Sequence, residues 1–258
     1  MREHLSFSAL KQFSDCEAEA IACFTGKWNH NLEFSKSTHD ALLVGSYVHK
    51  FWEGKAAFDE FIAENDAEMI AKSGKNKGQL KSDFVIAGSM IAKMKRDRLF
   101  SKLYQGDKEF ELRGQINGIE FLGYADCLNM QLGRFIDIKT IRGNLQDKEW
   151  SEIEHRRVHW IEAKKYHWQM AIYQHLLEQI VGIQMKPVIY AVTKEEYPDS
   201  AAIRFPQEWL DEALIAVCDE VDKYIEVLDG RPPERCERCN YCKSTKMNRG
   251  EIFITDLV

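Results

Sequence analysis

The chain has 258 residues, 45% of them hydrophobic, and a formal net charge of −6. That apolar content can bury a substantial core as one domain, and no run is long and apolar enough to span a bilayer. The acidic balance excludes a protein that coats nucleic acid through bulk charge, while leaving room for local Lys and Arg at phosphates. Met1-Arg2-Glu3-His4 does not begin a secretory leader, so a cytoplasmic setting is expected.

The first third reads as helical, with helices expected over residues 8–23, 41–54, 56–73 and 83–101. Cys16 lies in the first. In the second, Val44, Val48, Phe51 and Trp52 form an apolar stripe, and His49 follows it. A histidine so placed is more often packed or solvated than functional, but neutral imidazole is also a common metal ligand. A polar loop with Lys72, Lys75, Lys77 and Lys81 follows, then Lys93, Lys95, Arg96 and Arg98 on the next helix. Their default meaning is solvated surface; beside a cleft they could grip a nucleic-acid backbone.

Strands are expected over 108–116, 119–130 and 134–140, with Gln115-Ile116-Asn117-Gly118 as a hairpin turn. The first carries Glu109 and Glu111, and the second contains Gly123-Tyr124-Ala125-Asp126. The third contains Ile136-Asp137-Ile138-Lys139-Thr140. A period of two puts Asp137 and Lys139 on one face and Ile136 and Ile138 on the other. An Asp and a Lys on a mostly apolar strand are costly to bury without partners, which points to a site. Asp126 and Asp137 could hold a hard divalent cation through oxygen, with Lys139 orienting a water or neutralising charge on phosphorus. That chemistry is metal-assisted phosphodiester hydrolysis. On Asp-x-Lys alone, a surface strand with a salt bridge remains the simpler reading.

Residues 142–165 are less regular and carry Arg156, Arg157, Lys164 and Lys165 around Trp150 and Trp160, a composition that suits either base stacking or helix packing. A helix over 167–180 places Gln169 and Tyr173 four residues apart on one face. Either Tyr173 is core and Gln169 solvated, or both point at a substrate backbone. A strand over 186–192 and a helix over 208–228 complete an α/β architecture, a mixed sheet flanked by helices. After Gly230-Arg231-Pro232-Pro233 comes Cys236-x-x-Cys239-x-x-Cys242, dense enough to read as soft-metal ligation before disulfides. Three thiols are one short of a closed site. Cys16 is the best candidate for the fourth and Cys23 competes. Cys127 and Cys218 sit in apolar surroundings and read as buried, inert residues.

Gly-x-x-x-His49, an acidic patch, Gly-x-x-Asp126, Asp137-x-Lys139 and Gln169-x-x-x-Tyr173, in that order, resemble the PD-(D/E)XK nuclease superfamily, most closely its RecE-like and RecB-like exonucleases. The resemblance covers residues 5 to about 246. It implies one restriction-endonuclease-like domain over 1–258, with a helical elaboration over about 1–105 and a Cys-rich segment over about 231–246. It also implies Mg²⁺ or Mn²⁺ held by His49, Asp126, Asp137 and the carbonyl of Ile138, with Lys139 as catalytic lysine and Glu109 or Glu111 as a further acid. Gln169 and Tyr173 would contact DNA. Cys127 departs from the family, which often has a basic residue after the aspartate.

The activity so implied is 5′ to 3′ digestion of linear duplex ends in phage-type recombination, with a single-strand-annealing partner and a homo-oligomeric ring. Cys16, Cys236, Cys239 and Cys242 also resemble the [4Fe–4S] staple of related nucleases, with Zn²⁺ as the other ion such thiols take. Two alternatives stand beside this reading: an iron–sulfur nuclease of repair or CRISPR adaptation, and a non-catalytic DNA-binding protein of the same fold.

Overall fold

The structure, a computed structural model, describes residues 4–29, 36–151, 155–247, 250–251 and 253–256. The chain opens with α1 (Phe7–Asp15) and α2 (Glu17–Phe24), followed by α3 (Lys36–Glu53), α4 (Lys55–Met69), α5 (Ser82–Arg96) and α6 (Arg98–Leu103). Three strands follow, β1 (Asp107–Ile116), β2 (Ile119–Asn129) and β3 (Arg134–Ile141), and then a separate hairpin of β4 (Lys148–Ser151) and β5 (Arg156–His159). Next come α7 (Trp160–Ala163), α8 (Tyr166–Val181), β6 (Lys186–Thr193), β7 (Ser200–Arg204), α9 (Gln207–Leu228) and α10 (Asn240–Ser244).

The main sheet has the order β1-β2-β3-β6-β7, parallel between β3 and β6 and antiparallel elsewhere. It separates two cores. On one side Phe13 of α1, Leu176 and Leu177 of α8 and Val217 and Val221 of α9 pack with Phe121, Ala125, Phe135 and Ile189. On the other, Val44 and Val48 of α3, Phe84 and Met90 of α5 and Phe100 of α6 pack with Ile136, Ile138, Val188 and Tyr190. Each Val, Leu, Ile, Phe or Met side chain among these contributes roughly 1.5–3 kcal/mol when fully buried. The mixed sheet between helical layers is the architecture expected from sequence, and β3 alternates as expected, Ile136 and Ile138 facing one core and Phe135 the other. Among the described residues no helix is long and apolar enough to cross a membrane.

Several elements differ from expectation. The helix expected over 8–23 is two, because Cys16 is extended (φ −164°, ψ 106°). That over 83–101 breaks at Asp97, whose carboxylate accepts from the N–H groups of Leu99 (2.7 Å) and Phe100 (3.3 Å). A cap satisfies the orphan donors of a new helix, and one capping residue barely disturbs apolar periodicity, so neither break shows as a change of pattern. The hairpin turn falls where expected, with Asn117 (φ 48°) and Gly118 (φ 81°) both left-handed, as a two-residue turn matched to strand twist requires. The β4–β5 hairpin and edge strand β7 were not expected. Four-residue strands outside the main sheet have no core face to impose alternation, and Ser200-Ala201-Ala202 has little strand propensity.

Candidate active site

The site forms where the sheet opens. Strand β2 pairs with β3 only across Cys127–Asn129 and Arg134–Ile136, while β3 continues alongside β6 to Ile141. On the other side of β2 the ladder with β1 passes from Lys108↔Cys127 to Phe110↔Ala125 and skips the facing pair Glu109 and Asp126, Glu109 being left-handed at φ 46°. The alternation of β2 slips here too, since Ala125 and Leu128 face one core and Cys127 the other. Such a bulge re-aims a side chain. The Asp126 carboxylate turns into the opening and accepts the N–H of Ile138 through Oδ2, so a side chain takes the place of a ladder partner. Its own carbonyl accepts from the Tyr104 hydroxyl at 3.1 Å.

Asp137, Lys139 and Gln169 form the centre. Lys139 Nζ lies 2.7 Å from Asp137 Oδ2, and Gln169 Nε2 donates to Asp137 Oδ1 at 3.1 Å. Asp137 is 3% exposed, so the neighbours matter electrostatically. Burial pushes the Asp137 carboxyl above the usual carboxylate value, although Lys139 opposes it. For Asp126 burial acts upward as well, but His49, the Ile138 N–H and Lys139 together hold it below that value. Burial alone would lower the Lys139 ammonium; Asp137 outweighs it and the result is upward. Of the two aspartates, Asp126 is thus the one whose neighbours outweigh burial.

His49 comes from α3, with Nδ1 3.3 Å from Asp126 Oδ1. Burial lowers its imidazole and Asp126 more than offsets that, holding it above the usual histidine value. Four residues earlier on the same face, a Cβ at Gly45 would lie 3.4 Å from Thr140 Oγ1. A small residue there lets α3 approach β3 closely enough for His49 to reach the opening.

The choice between the two glutamates is decided by the strand. Glu109 faces Asp126, and burial followed by the charges of Asp126 and Glu53 raises its carboxyl. Glu111 is exposed, 3.5 Å from Arg113 Nε, and accepts from the Tyr124 hydroxyl at 3.3 Å. The donors that face the opening are thus one imidazole and three carboxylates. Asp137 Oδ2 has the Lys139 ammonium at ion-pair distance but no hydrogen bond with suitable angles. Oxygen-rich, crowded with negative charge and with a buried lone pair to spare, the set fits a hard divalent cation. The crowding has a measurable cost. Glu109→Gln is expected to raise the melting temperature in chelator at neutral pH, because charging Glu109 disfavours the folded state. Its folded pKa lies above the unfolded one, so the advantage should vanish below the unfolded value near 4.5, where both states are protonated. A pH series of thermal melts checks this; equal melting temperatures at pH 7 would remove the crowding argument.

From α8, Gln169 and Tyr173 are both 7% exposed. The solvated alternative for Gln169 therefore does not hold: its amide is turned onto Asp137. Tyr173 packs near Phe135 (ring centroids 6.4 Å apart) and so close to β2 that a Cβ on Gly123 would lie 2.7 Å from its Cε1. The sequence reading passed over Tyr166, whose ring lies under Lys139 with Nζ 4.5 Å from its centroid. Its signal was available, since Tyr166, Gln169 and Tyr173 share one helix face at i, i+3 and i+7.

Of the remaining expected features, Trp160 is buried (3%) with its indole N–H on the Leu145 carbonyl, whereas Trp150 on β4 is 55% exposed; residues 152–154 between them lie outside the described residues. The thiols of Cys16, Cys236, Cys239 and Cys242 all come within 4.8 Å of one another, and Cys23 is not among them. Cys127 is buried as expected and accepts from Lys108 Nζ at 3.2 Å, but Cys218 is only half-buried.

No curated protein matches the chain. Among solved structures it is similar to a protein from Eubacterium rectale named a “putative exonuclease”, with 29% identity over 99% of this chain and 92% of that one and a TM-score of 0.84. The structure of SSO0001 also matches, at 16% identity over 78% of this chain and 79% of that one, with a TM-score of 0.33. The family model described as a PDDEXK-like domain of unknown function (DUF3799) matches residues 6–245. With that span matched and the mixed sheet opening at Asp126 and Asp137, the chain belongs to this PDDEXK-like family.

Proposed function

We propose that the protein is a metal-dependent DNA exonuclease that hydrolyses phosphodiester bonds at the ends of linear duplex DNA. The observation that carries this reading is the convergence of Asp137 with Lys139 at 2.7 Å and Gln169 at 3.1 Å, beside an Asp126 carboxylate seated in the sheet opening. The name of the Eubacterium rectale relative supports the exonuclease assignment. Digestion in the 5′ to 3′ sense, a recombination setting, a single-strand-annealing partner and a homo-oligomeric ring rest on the resemblance to RecE-like enzymes.

His49, Asp126, Asp137 and the Ile138 carbonyl would hold the cation, with Glu109 as the further acid, and Mg²⁺ there would supply a Lewis acid for the phosphoryl oxygen and a more acidic bound water. Asp126, whose carboxyl His49 and the Ile138 N–H hold low, would offer that cation a charged oxygen. Gln169 fixes the Asp137 carboxylate by donating to Oδ1, which leaves Oδ2 for the reacting side. Lys139, held between Asp137 and the Tyr166 face, presents a positive charge where the phosphorane accumulates negative charge. In this arrangement Gln169 and Tyr173 act as positioning residues behind the carboxylates.

The test is digestion of linear duplex labelled separately at its 5′ and 3′ ends, with Mg²⁺, Mn²⁺ or chelator, beside Asp137→Ala. Loss of the 5′ label first, only with metal and only in the unmodified protein, is the expected result. Absence of cleavage of duplex or single strands under every condition would overturn the assignment in favour of a DNA-binding module.

A further inference from the structure

The four cysteines take no part in the proposed hydrolysis, yet two stretches of chain more than 200 residues apart in sequence deliver them to one point. Cys16 occupies the extended residue between α1 and α2, Cys236 and Cys239 sit in the loop after α9, and Cys242 is on α10. Their sulfurs are 3.6 Å apart for Cys16 and Cys242, 3.8 Å for Cys16 and Cys239, and 4.0 Å for Cys236 and Cys242.

Those spacings discriminate between ions. A tetrahedral ion with metal–sulfur bonds of about 2.3 Å holds its sulfurs about 3.8 Å apart. A [4Fe–4S] cube binds each cysteine to a different iron at its corners and spreads the sulfurs to about 6 Å. All four thiols here lie within 4.8 Å of one another, so the cube implied by the resemblance does not fit and a single ion does.

The surroundings also suit sulfurs that carry charge. The backbone N–H groups of Arg238 (3.5 Å) and Cys239 (3.3 Å) point at Cys236 Sγ, and that of Cys242 points at Cys239 Sγ (3.3 Å). Glu237, between the first two ligands, takes a left-handed φ of 57°, a conformation that a non-glycine residue adopts at a cost. Arg235 clamps the loop by donating to the Cys242 carbonyl (2.5 Å) and the Thr245 hydroxyl (3.0 Å).

We propose that Cys16, Cys236, Cys239 and Cys242 bind one tetrahedrally coordinated zinc ion, which joins the two ends of the fold. The joint is continuous with the active site. Ser14 and Asp15, next to Cys16, both take the Lys165 ammonium, and Lys165 precedes Tyr166, the residue under Lys139. The ion thus anchors the amino end of α8, the helix that carries Tyr166, Gln169 and Tyr173.

The experiment is elemental and sulfide analysis of the full chain, purified under anaerobic conditions from medium containing both metals. It should be run in the Asp126→Ala background so that an ion on the carboxylates does not enter the count. The expected result is about one zinc per chain without acid-labile sulfide. Zinc should fall to background in Cys239→Ser and in Cys242→Ala and stay in Cys23→Ser. Replacement by Co²⁺ should give the intense visible bands of a tetrahedral thiolate site, and stripping should lower the melting temperature by several degrees. Iron with matching sulfide would overturn the proposal, and so would four titratable thiols with no retained ion. Because the wild-type cysteine set alone yields the count, failure of a cysteine variant to fold does not block the test.

Discussion

Lys139→Met is expected to lower DNA cleavage by about 10²- to 10³-fold while leaving the protein folded. A positioned ammonium, held charged by Asp137, stabilises the negative charge that develops at phosphorus, an effect worth about 10²- to 10³-fold. Methionine keeps most of the volume over the Tyr166 ring, so packing changes little. What it removes is the positive charge 2.7 Å from Asp137 Oδ2. Asp137 already has its carboxyl pushed up by burial, and without Lys139 it should rise further. A folded pKa above the unfolded value means that stability is lost as pH rises. The variant's deficit should therefore grow from near zero below pH 4 toward neutrality. Adding Asp137→Asn removes the uncompensated carboxyl. Lys139→Met with Asp137→Asn should recover much of the stability at pH 7 and none of the activity. Steady-state digestion of end-labelled duplex and thermal melts separate the two effects. Near-wild-type cleavage by Lys139→Met would remove Lys139 from the mechanism.

Gly123→Ala should damage the protein from a position that touches no substrate. The added methyl would lie 2.7 Å from Tyr173 Cε1, and Tyr173 is 7% exposed, so the ring has nowhere to swing. Overpacking of this kind costs about 1–3 kcal/mol. Relief has to come from separation of β2 and α8, and α8 holds Gln169 on Asp137. A displacement approaching 1 Å in a catalytic group can cost about 10²-fold, so a fall in kcat larger than the rise in KM is expected. Adding Tyr173→Leu should return much of the lost melting temperature by making room. Wild-type stability and turnover in Gly123→Ala alone would show that the contact does not position the site.

The order of elements was legible because the signals are local. Apolar runs broken by Asn117-Gly118 and Gly133 mark the three central strands. A period of two puts Asp137 and Lys139 on one face, and helical spacing puts Gln169 beside Tyr173. The family's ordered residues could be read for the same reason, and so could the presence of four cysteines at the two ends. What could not be read depends on how the strands meet. The early parting of β2 from β3, the slip of alternation at Asp126 and the left-handed Glu109 are set by pairing across the sheet, and no local pattern encodes them. They decide that Glu109 rather than Glu111 faces the opening and that Asp126 accepts the Ile138 N–H.

The breaks at Cys16 and Asp97 belong to the same class, since one residue changes the chain direction while the apolar stripe runs on. For Gln169 the sequence offered solvent or substrate; packing of α8 against the sheet removes the solvated reading and adds a partner, Asp137, that no local pattern shows. By itself, then, the sequence determined which residues could do chemistry, through side-chain type and local period. Distances between groups far apart in the chain are fixed only when both faces of the sheet are packed, so the tertiary structure decided which carboxylates share charge and how closely the four thiols approach.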